Sequence, residues 1–429
     1  MALREGVADE TEAATPPAGR FGAFGYREFR LLWFGLLVSN TGSWMASLAQ
    51  GWLVVELSPT QAVAPFYLGL VGFVRAIPVV LLSGLAGTLA DRVDRRRILV
   101  VAQVALALST LALAVLSQLH VVRIWHVLVL AAISAAASSF DAPTRQSMVP
   151  LLVAPRHLMN AIGLNSAAFN GPAIVGPAFA GIVVGWIGVA ACFYLNALSY
   201  VAVLVALLLM SPKPPLATAG SHSIWHDLLE GVRYIRNQPG ILAIFALAML
   251  LALVARPYIQ LLPAFVRTVM HGGPQTLGVT MAASGAGALI GSVTTALIGL
   301  QQRRGILLLV SGAATGVFLA TFALSHEIVL ALLSLSGLGI AVMLFMGMTN
   351  TLLQIYTPLN IRGRVMALYT MVFLGFMPFG SWLLGTAASL SSLPRTFVVC
   401  GALVLIATAL VAVTKALPES ASAPAPDQQ

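Results

Sequence analysis

The chain has 429 residues, of which 59% are hydrophobic and only 9% charged, with a net charge of +9. Soluble domains carry roughly 25% charged residues, so a soluble globule is excluded. The hydrophobicity excludes disorder, and two cysteines, Cys192 and Cys400, are too few for a disulfide scaffold.

The basic excess does not call for nucleic acid, because the charges sit in short clusters between long apolar runs, as in a polytopic membrane protein. A bilayer core about 30 Å thick takes roughly 20 apolar residues per helix. Spans are predicted over 29–56, 64–90, 98–119, 125–149, 159–186 and 189–210, then 240–265, 276–300, 305–325, 327–356, 364–389 and 394–415. Residues 1–28 are expected to be a disordered tail; Met1 to Gly19 is acidic, Pro/Ala-rich and lacks the regions of a signal peptide. Residues 416–429 read as a second disordered tail. The long polar stretch 211–239 separates six spans in 29–210 from six in 240–415. Within it Trp225, Leu228, Leu229, Val232 and Ile235 fall at helical spacing, the pattern of an amphipathic helix on the membrane surface.

Of 23 Lys and Arg, 18 fall on one side of this arrangement, three (Arg123, Arg267, Arg395) on the other, and two, Arg75 and Arg256, inside spans. The positive-inside rule then makes both termini and the central loop cytoplasmic. The halves also echo each other. Gln146 and Pro150 recur as Gln354 and Pro358, Arg95-Arg96 as Arg303-Arg304, and Cys192 as Cys400, each offset by 208. An all-α fold of two pseudo-symmetric six-helix bundles is expected, with a substrate site between them near the midplane.

Along the chain, the first span carries Asn40, Ser43, Trp44 and Gln50, and the second carries Arg75. The loop after the second reads Gly87-Thr-Leu-Ala-Asp91-Arg92-Val-Asp94-Arg95-Arg96-Arg97. Its glycine allows close helix approach, and Asp91 could cap another helix, where the dipole favours a carboxylate. The fourth span ends Phe140-Asp141-Ala-Pro143-Thr-Arg145-Gln146; Asp141 is the one acid clearly within a span, roughly 24 Å from its far end at 1.5 Å per residue. Two readings of Asp141 stand open: a carrier of the coupling proton, or a salt bridge to Arg95 or Arg145.

The fifth span, with Asn165 and Asn170, continues Gly171-Pro172-Ala-Ile-Val-Gly176-Pro177-Ala-Phe-Ala-Gly181, where prolines kink the helix and small residues permit close contact. Arg256 sits at a depth similar to Arg75. An unpaired Arg in a span costs roughly 2.5–3.5 kcal/mol on insertion scales. The two are read either as facing a shared aqueous cavity and receiving an anionic part of a substrate with Tyr258 and Gln260, or as snorkelling or bonding carbonyls freed by Pro78 and Pro257. Gly285, Gly287 and Gly291 make the eighth span lean, and Asn350 and Gln354 are polar positions in the tenth. Hydrogen bonds between helices account for such polar residues as readily as substrate contact does. His222 and His226 have the i,i+4 spacing of metal ligands, but without a cysteine they read as a solvated helix face, and no metal is expected.

The 87–97 loop resembles the loop 2–3 signature of the major facilitator superfamily, with Asp94 in place of the usual second glycine. Asn160-Ala161-Ile162-x-x-Asn165-Ser166, Gly231-x-Arg233-Tyr234-Ile235, Arg256-Pro257-Tyr258 and Arg362-Gly363-Arg364-Val365-Met366 extend the resemblance to the drug:proton antiporter-3 and transmembrane secretion effector branch. Macrolide efflux pumps and the enterobactin exporter belong to that branch. The segment Gly171–Gly181 is similar to the antiporter motif of facilitator-family exporters, with its final glycine pair reduced to Gly181. The resemblance implies a latch of Gly87, Asp91, Arg92, Arg95, Arg96 and Arg145 closing the cytoplasmic side against helix 11, expected to start near Arg364. It implies contact between helices 5 and 8 across the two halves, and export of a drug or siderophore-like metabolite by proton antiport. The driver is then an ion gradient rather than a cofactor, the partners are a small molecule and the bilayer, and the setting is a monomer in a bacterial cytoplasmic membrane. Import of a small metabolite is the alternative within transport, and a membrane-embedded enzyme the alternative outside it. The P-loop of an ATP-driven pump is absent: the lysines, Lys213 and Lys415, follow Pro212 and Thr414.

Overall fold

The computed structural model describes residues 22–210, 224–298, 304–414 and 417, with the backbone alone at 83–92, 224–228 and 373–374. His222, most of the expected 1–28 tail, and the 416–429 tail apart from Leu417 lie outside the described residues. The first bundle comprises α1 (Arg27–Leu57), α2 (Ala64–Arg92), α3 (Arg95–Gln118), α4 (Ile124–Leu152), α5 (Leu158–Asn170), α6 (Pro172–Trp186) and α7 (Val189–Leu209). A linker helix α8 (Ile224–Asn237) leads to the second bundle: α9 (Pro239–Leu250), a π-helical turn Leu251–Ala255, α10 (Tyr258–Thr268), α11 (Pro274–Ile298), α12 (Arg304–Ala323), α13 (Ile328–Tyr356), α14 (Leu359–Leu390) and α15 (Leu393–Val413).

Among the described residues eleven helical stretches are long and apolar enough to cross a membrane. The twelfth expected span, α1, has 31 residues but falls short of that apolarity, since Ser39, Asn40, Thr41, Ser43, Ser47 and Gln50 interrupt it. Ser39 is buried and all but Ser47 are at least partly covered by other helices, which removes the need for a fully apolar segment. Wide bands of exposed aliphatic side chains, among them Leu81, Val101, Leu297 and Leu333, face outward, where lipid is the natural solvent. Trp125 and Trp186, both exposed, mark the end of the molecule away from the arginines, as interfacial tryptophans do.

Prolines and caps set the boundaries. Only Val93 and Asp94 separate α2 from α3, and the Asp94 side chain accepts from the Arg96 backbone N–H at 3.0 Å, so α3 starts at Arg95 rather than at 98. Pro358 precedes α14, which therefore begins at Leu359, five residues before the expected start near Arg364. Span five is two helices in line, because Pro172 lacks the N–H that would continue α5. Span seven is interrupted where Arg256 N–H reaches back to Leu251 O, a π-type bond ahead of Pro257. Gly188, at φ 105, makes the tight turn between α6 and α7. The repeat lands on matching elements: Arg96 and Arg304 fall in the first turns of α3 and α12, with Arg303 outside the described residues, Gln146 and Gln354 sit late in α4 and α13, and Cys192 and Cys400 are buried free thiols in α7 and α15.

The hydrophobic core is divided unequally. One cluster runs from Met45–Val55 of α1, Ala64–Val71 of α2 and Ala180 of α6 into the second bundle through Leu261, Phe265, Leu277 and Leu384. A separate cluster (Phe29, Leu32, Leu99, Met148, Leu152, Leu207) holds together the arginine-rich end of the first bundle by itself. Among the described residues the bundles thus share one core at the end far from the arginines, here the far side, while the first bundle's basic side has a core cluster of its own.

Candidate functional site

The seam between bundles is built from small residues. In α6 and α11, a Cβ on Gly278 would lie 2.6 Å from Pro177 O, one on Gly181 3.0 Å from the Gly278 Cα, and one on Gly285 2.6 Å from Ala173 O. Only glycine permits this approach, and the expected contact of helices 5 and 8 across the halves is present. The glycines that make it differ from those anticipated. Gly287 and Gly291 face Ser336 and Ile340 of α13, inside the second bundle, whereas Gly278 and Gly285, seven residues apart on one helix face, meet α6. Gly176 receives Trp44 and the Thr41 carbonyl of α1, so Trp44 packs within the first bundle. Pro172 and Pro177 are buried beside them, and the Cβ position of Gly171 looks onto its own helix at Ala167 O.

The second seam joins α2 to α14 and α10. Gly69 abuts the Ser381 carbonyl, Gly385 abuts the Pro65 carbonyl, and Phe73 packs on Trp382 with ring centroids 5.3 Å apart. Gln260 donates to Leu68 O at 3.2 Å, and the Arg267 guanidinium lies 5.7 Å from the Trp52 ring centroid. Each of these contacts lies in the far half of its helices. At the basic side α5 packs on α1 and α4 of its own bundle.

Asp141 forms an ion pair with Arg145, one helical turn later, and accepts from Gln103 Nε2 at 2.8 Å. All three are buried, at 5%, 7% and 1% exposure. The Arg145 guanidinium also lies 5.7 Å from the Phe169 ring centroid. Of the two salt-bridge partners considered for Asp141, Arg145 is the one it has; Arg95 is buried with no partner for its Nε among the described residues. Gln103 was missed by sequence reasoning. A single glutamine in an apolar helix carries no mark of which neighbour it faces.

Arg75 lines a recess of about 150 Å3 in the first bundle, with Ser43, Gln50, Thr110, Ser134, Asn196 and Tyr200 among its walls. Arg256 is elsewhere. Its Nη1 is 3.5 Å from Met346 Sδ, and Tyr369 OH donates to the Met346 carbonyl nearby. Tyr258 is buried and bonds Ser284 Oγ at 2.6 Å, while Gln260 is committed to the seam. Among the described residues the two arginines, expected to share a cavity, have different neighbours, each within its own bundle; similar depth does not make neighbours.

The remaining polar candidates divide by their partners. Asn40 donates to Ala168 O at 3.0 Å, tying α1 to α5. Asn170 donates to Ser166 O at 2.9 Å, and Gln354 to Asn350 Oδ1 at 2.6 Å, both local bonds on exposed or partly exposed helix faces. Asn165 is partly buried. Of the latch residues, Gly87, Asp91 and Arg92 have backbone positions in the last turns of α2, and their side chains lie outside the described residues. Arg96 donates to Leu208 O at 2.8 Å, closing the end of α7. Arg364 pairs with Glu230 of the linker helix at 2.5 Å, and Tyr234 OH reaches Tyr356 O at 3.5 Å, so α8 is fastened to the second bundle.

A family model described as transmembrane secretion effector matches residues 18–429. The staphyloferrin A transporter of Staphylococcus aureus is 25% identical over 84% of this chain and 89% of its own length. Macrolide efflux protein A of Streptococcus pyogenes is 23% identical over 88% and 93%. Among solved structures, the nucleoside transporter NupG superposes with a TM-score of 0.73 at 15% identity, covering 91% of this chain and 99% of that one, a likeness of fold. With two helical bundles meeting at glycine seams and the model matched almost end to end, the chain belongs to the transmembrane secretion effector family of major facilitator transporters.

Proposed function

We propose that the protein exports a small organic molecule from the bacterial cytoplasm across the inner membrane, as a monomer, in exchange for protons. The observation that carries this reading is the one-sided seam among the described residues: glycine-backed contacts and a continuous core at the far side, and a separate core cluster at the first bundle's basic side. With the arginine-rich face in the cytoplasm, that is a carrier open to the cell interior, and small-residue seams are joints about which two bundles can rock. The family membership, and relatives named for macrolide efflux and staphyloferrin A transport, favour drugs or siderophore-like metabolites as cargo and relocation over chemical conversion.

Asp141 is the proton carrier in this account. Protonation removes its charge and releases Arg145, which already lies beside Phe169 of α5, so titration is coupled to the contact between α4 and α5. The latch of Asp91 with its arginines closes the cytoplasmic side in the opposite state, with the start of α14 at Leu359 as the helix end it caps. Direction is tested by cellular accumulation of labelled macrolides and siderophores. Cells producing the protein should retain less of at least one compound than cells producing Gly278→Leu; greater retention would make it an importer.

A further inference from the structure

Among the described residues, the recess around Arg75 holds several polar groups that have no hydrogen-bond partner. It is walled by α1, α2, α3, α4 and α7, all of the first bundle, and opens at Ser47 and Ser138, which are exposed. Ser47, Gln50, Thr110, Ser134 and Ser138 make no side-chain hydrogen bond among the described residues, and Arg75 has neither hydrogen bond nor ion pair there. The other polar walls are held in place: Tyr200 OH lies 3.2 Å from Ser43 Oγ and 3.5 Å from Asn196 Nδ2. No carboxylate is among the described residues that line the recess; Asp141 is held by Arg145 and Gln103, and Glu56 by Trp52 Nε1 at 2.7 Å. A fixed cation thus faces a chamber rich in hydrogen-bond donors and free of acids.

We propose that this recess is an anion site, taking a small monoanionic group such as a carboxylate. Arg75 supplies the charge and a planar fork that matches two oxygens; the Thr110 and Ser134 hydroxyls and the Gln50 amide supply the remaining donors. A volume of about 150 Å3 suits one such group with a few waters, and excludes a whole drug-sized molecule. The site lies within one bundle, so Arg256 takes no part in it. A carboxylate here belongs either to an organic cargo entering from the open side, which rests on the export reading, or to no cargo at all, the occupant then being a free inorganic anion.

The test needs no transport, so its failure and that of the export reading are separable. The purified full-length protein in lipid nanodiscs is titrated with sodium acetate and, separately, sodium chloride, following the thermal unfolding midpoint by tryptophan fluorescence. Wild type should show a saturating rise, and Arg75→Gln only the shallow, non-saturating drift that ionic strength imposes on both. Arg75→Lys, which keeps the charge but loses the fork, should weaken acetate more than chloride. Should Arg75→Gln fail to fold, the doubly substituted Thr110→Val, Ser134→Ala protein keeps the cation, and its half-saturation should rise about tenfold. Preference for acetate assigns the site to a carboxylate-bearing cargo, and preference for chloride to the inorganic ion. A wild type that saturates with neither anion, or variants that saturate as wild type does, would overturn the proposal.

Discussion

Among single residues, Asp141 carries most of the account, and its environment makes stability and coupling separable. Breaking a buried ion pair by removing one partner costs about 3–5 kcal/mol, because the other charge is stranded. Asp141→Ala should therefore lower the unfolding midpoint sharply, and adding Arg145→Ala should restore most of the loss; a double variant no better than the single would mean the pair is not what the substitution disturbs. Asp141→Asn can still accept from Gln103 and should fold, while losing proton-coupled transport. A carboxylate and an arginine four residues apart in an apolar segment make this pairing legible in the sequence. The third member was not: Gln103 is far away in the chain, and only the packing of α3 on α4 brings its amide to 2.8 Å. Arg75 and Arg256 show the converse, since depth along a helix is readable from a sequence while the direction a side chain faces is not.

At the level of elements, the glycine seams are the joints of the molecule. A side chain at Gly278 must displace backbone of α6, and overpacking of this kind costs roughly 1–3 kcal/mol. Gly278→Leu should leave the protein folded but reduce transport at least tenfold, whereas Gly163→Ala, with open space around the added carbon, should be silent in the same vesicle assay. Equal activity of the two would show that the α6–α11 contact does not move. The pairing of these helices was anticipated from Gly171–Gly181 because small residues and prolines in a span announce close packing. The face of α11 was not, since Gly285, Gly287 and Gly291 are all available and only the crossing geometry selects the 278/285 pair. The linker helix was legible from its amphipathic spacing, but its anchor was not. The pair of Glu230 with Arg364 is partly exposed and worth at most about 1 kcal/mol, so Glu230→Gln should leave the unfolding midpoint nearly unchanged; a large drop would mean that α8 holds the second bundle together.

For the whole molecule, the all-helical membrane fold, eleven of the twelve expected spans and the family were legible, because a bilayer forces apolar length and backbone self-sufficiency on every span. The conformational state was not, as nothing in a sequence says which of two packings is occupied. The divided core predicts a definite accessibility. In a Cys192→Ser, Cys400→Ser background, Ser138→Cys at the mouth of the recess should react with a membrane-impermeant thiol reagent added to inside-out vesicles, and resist the same reagent applied to right-side-out vesicles. Reaction from the opposite side would place the opening at the other face. The central claim, export driven by proton antiport, is tested most directly by proton flux in acid-loaded inside-out vesicles challenged with macrolides and siderophores. The account predicts proton release that depends on a compound and on the protein, and that disappears in Asp141→Asn. Transport of a compound with no accompanying proton movement, or release that Asp141→Asn leaves intact, would contradict it.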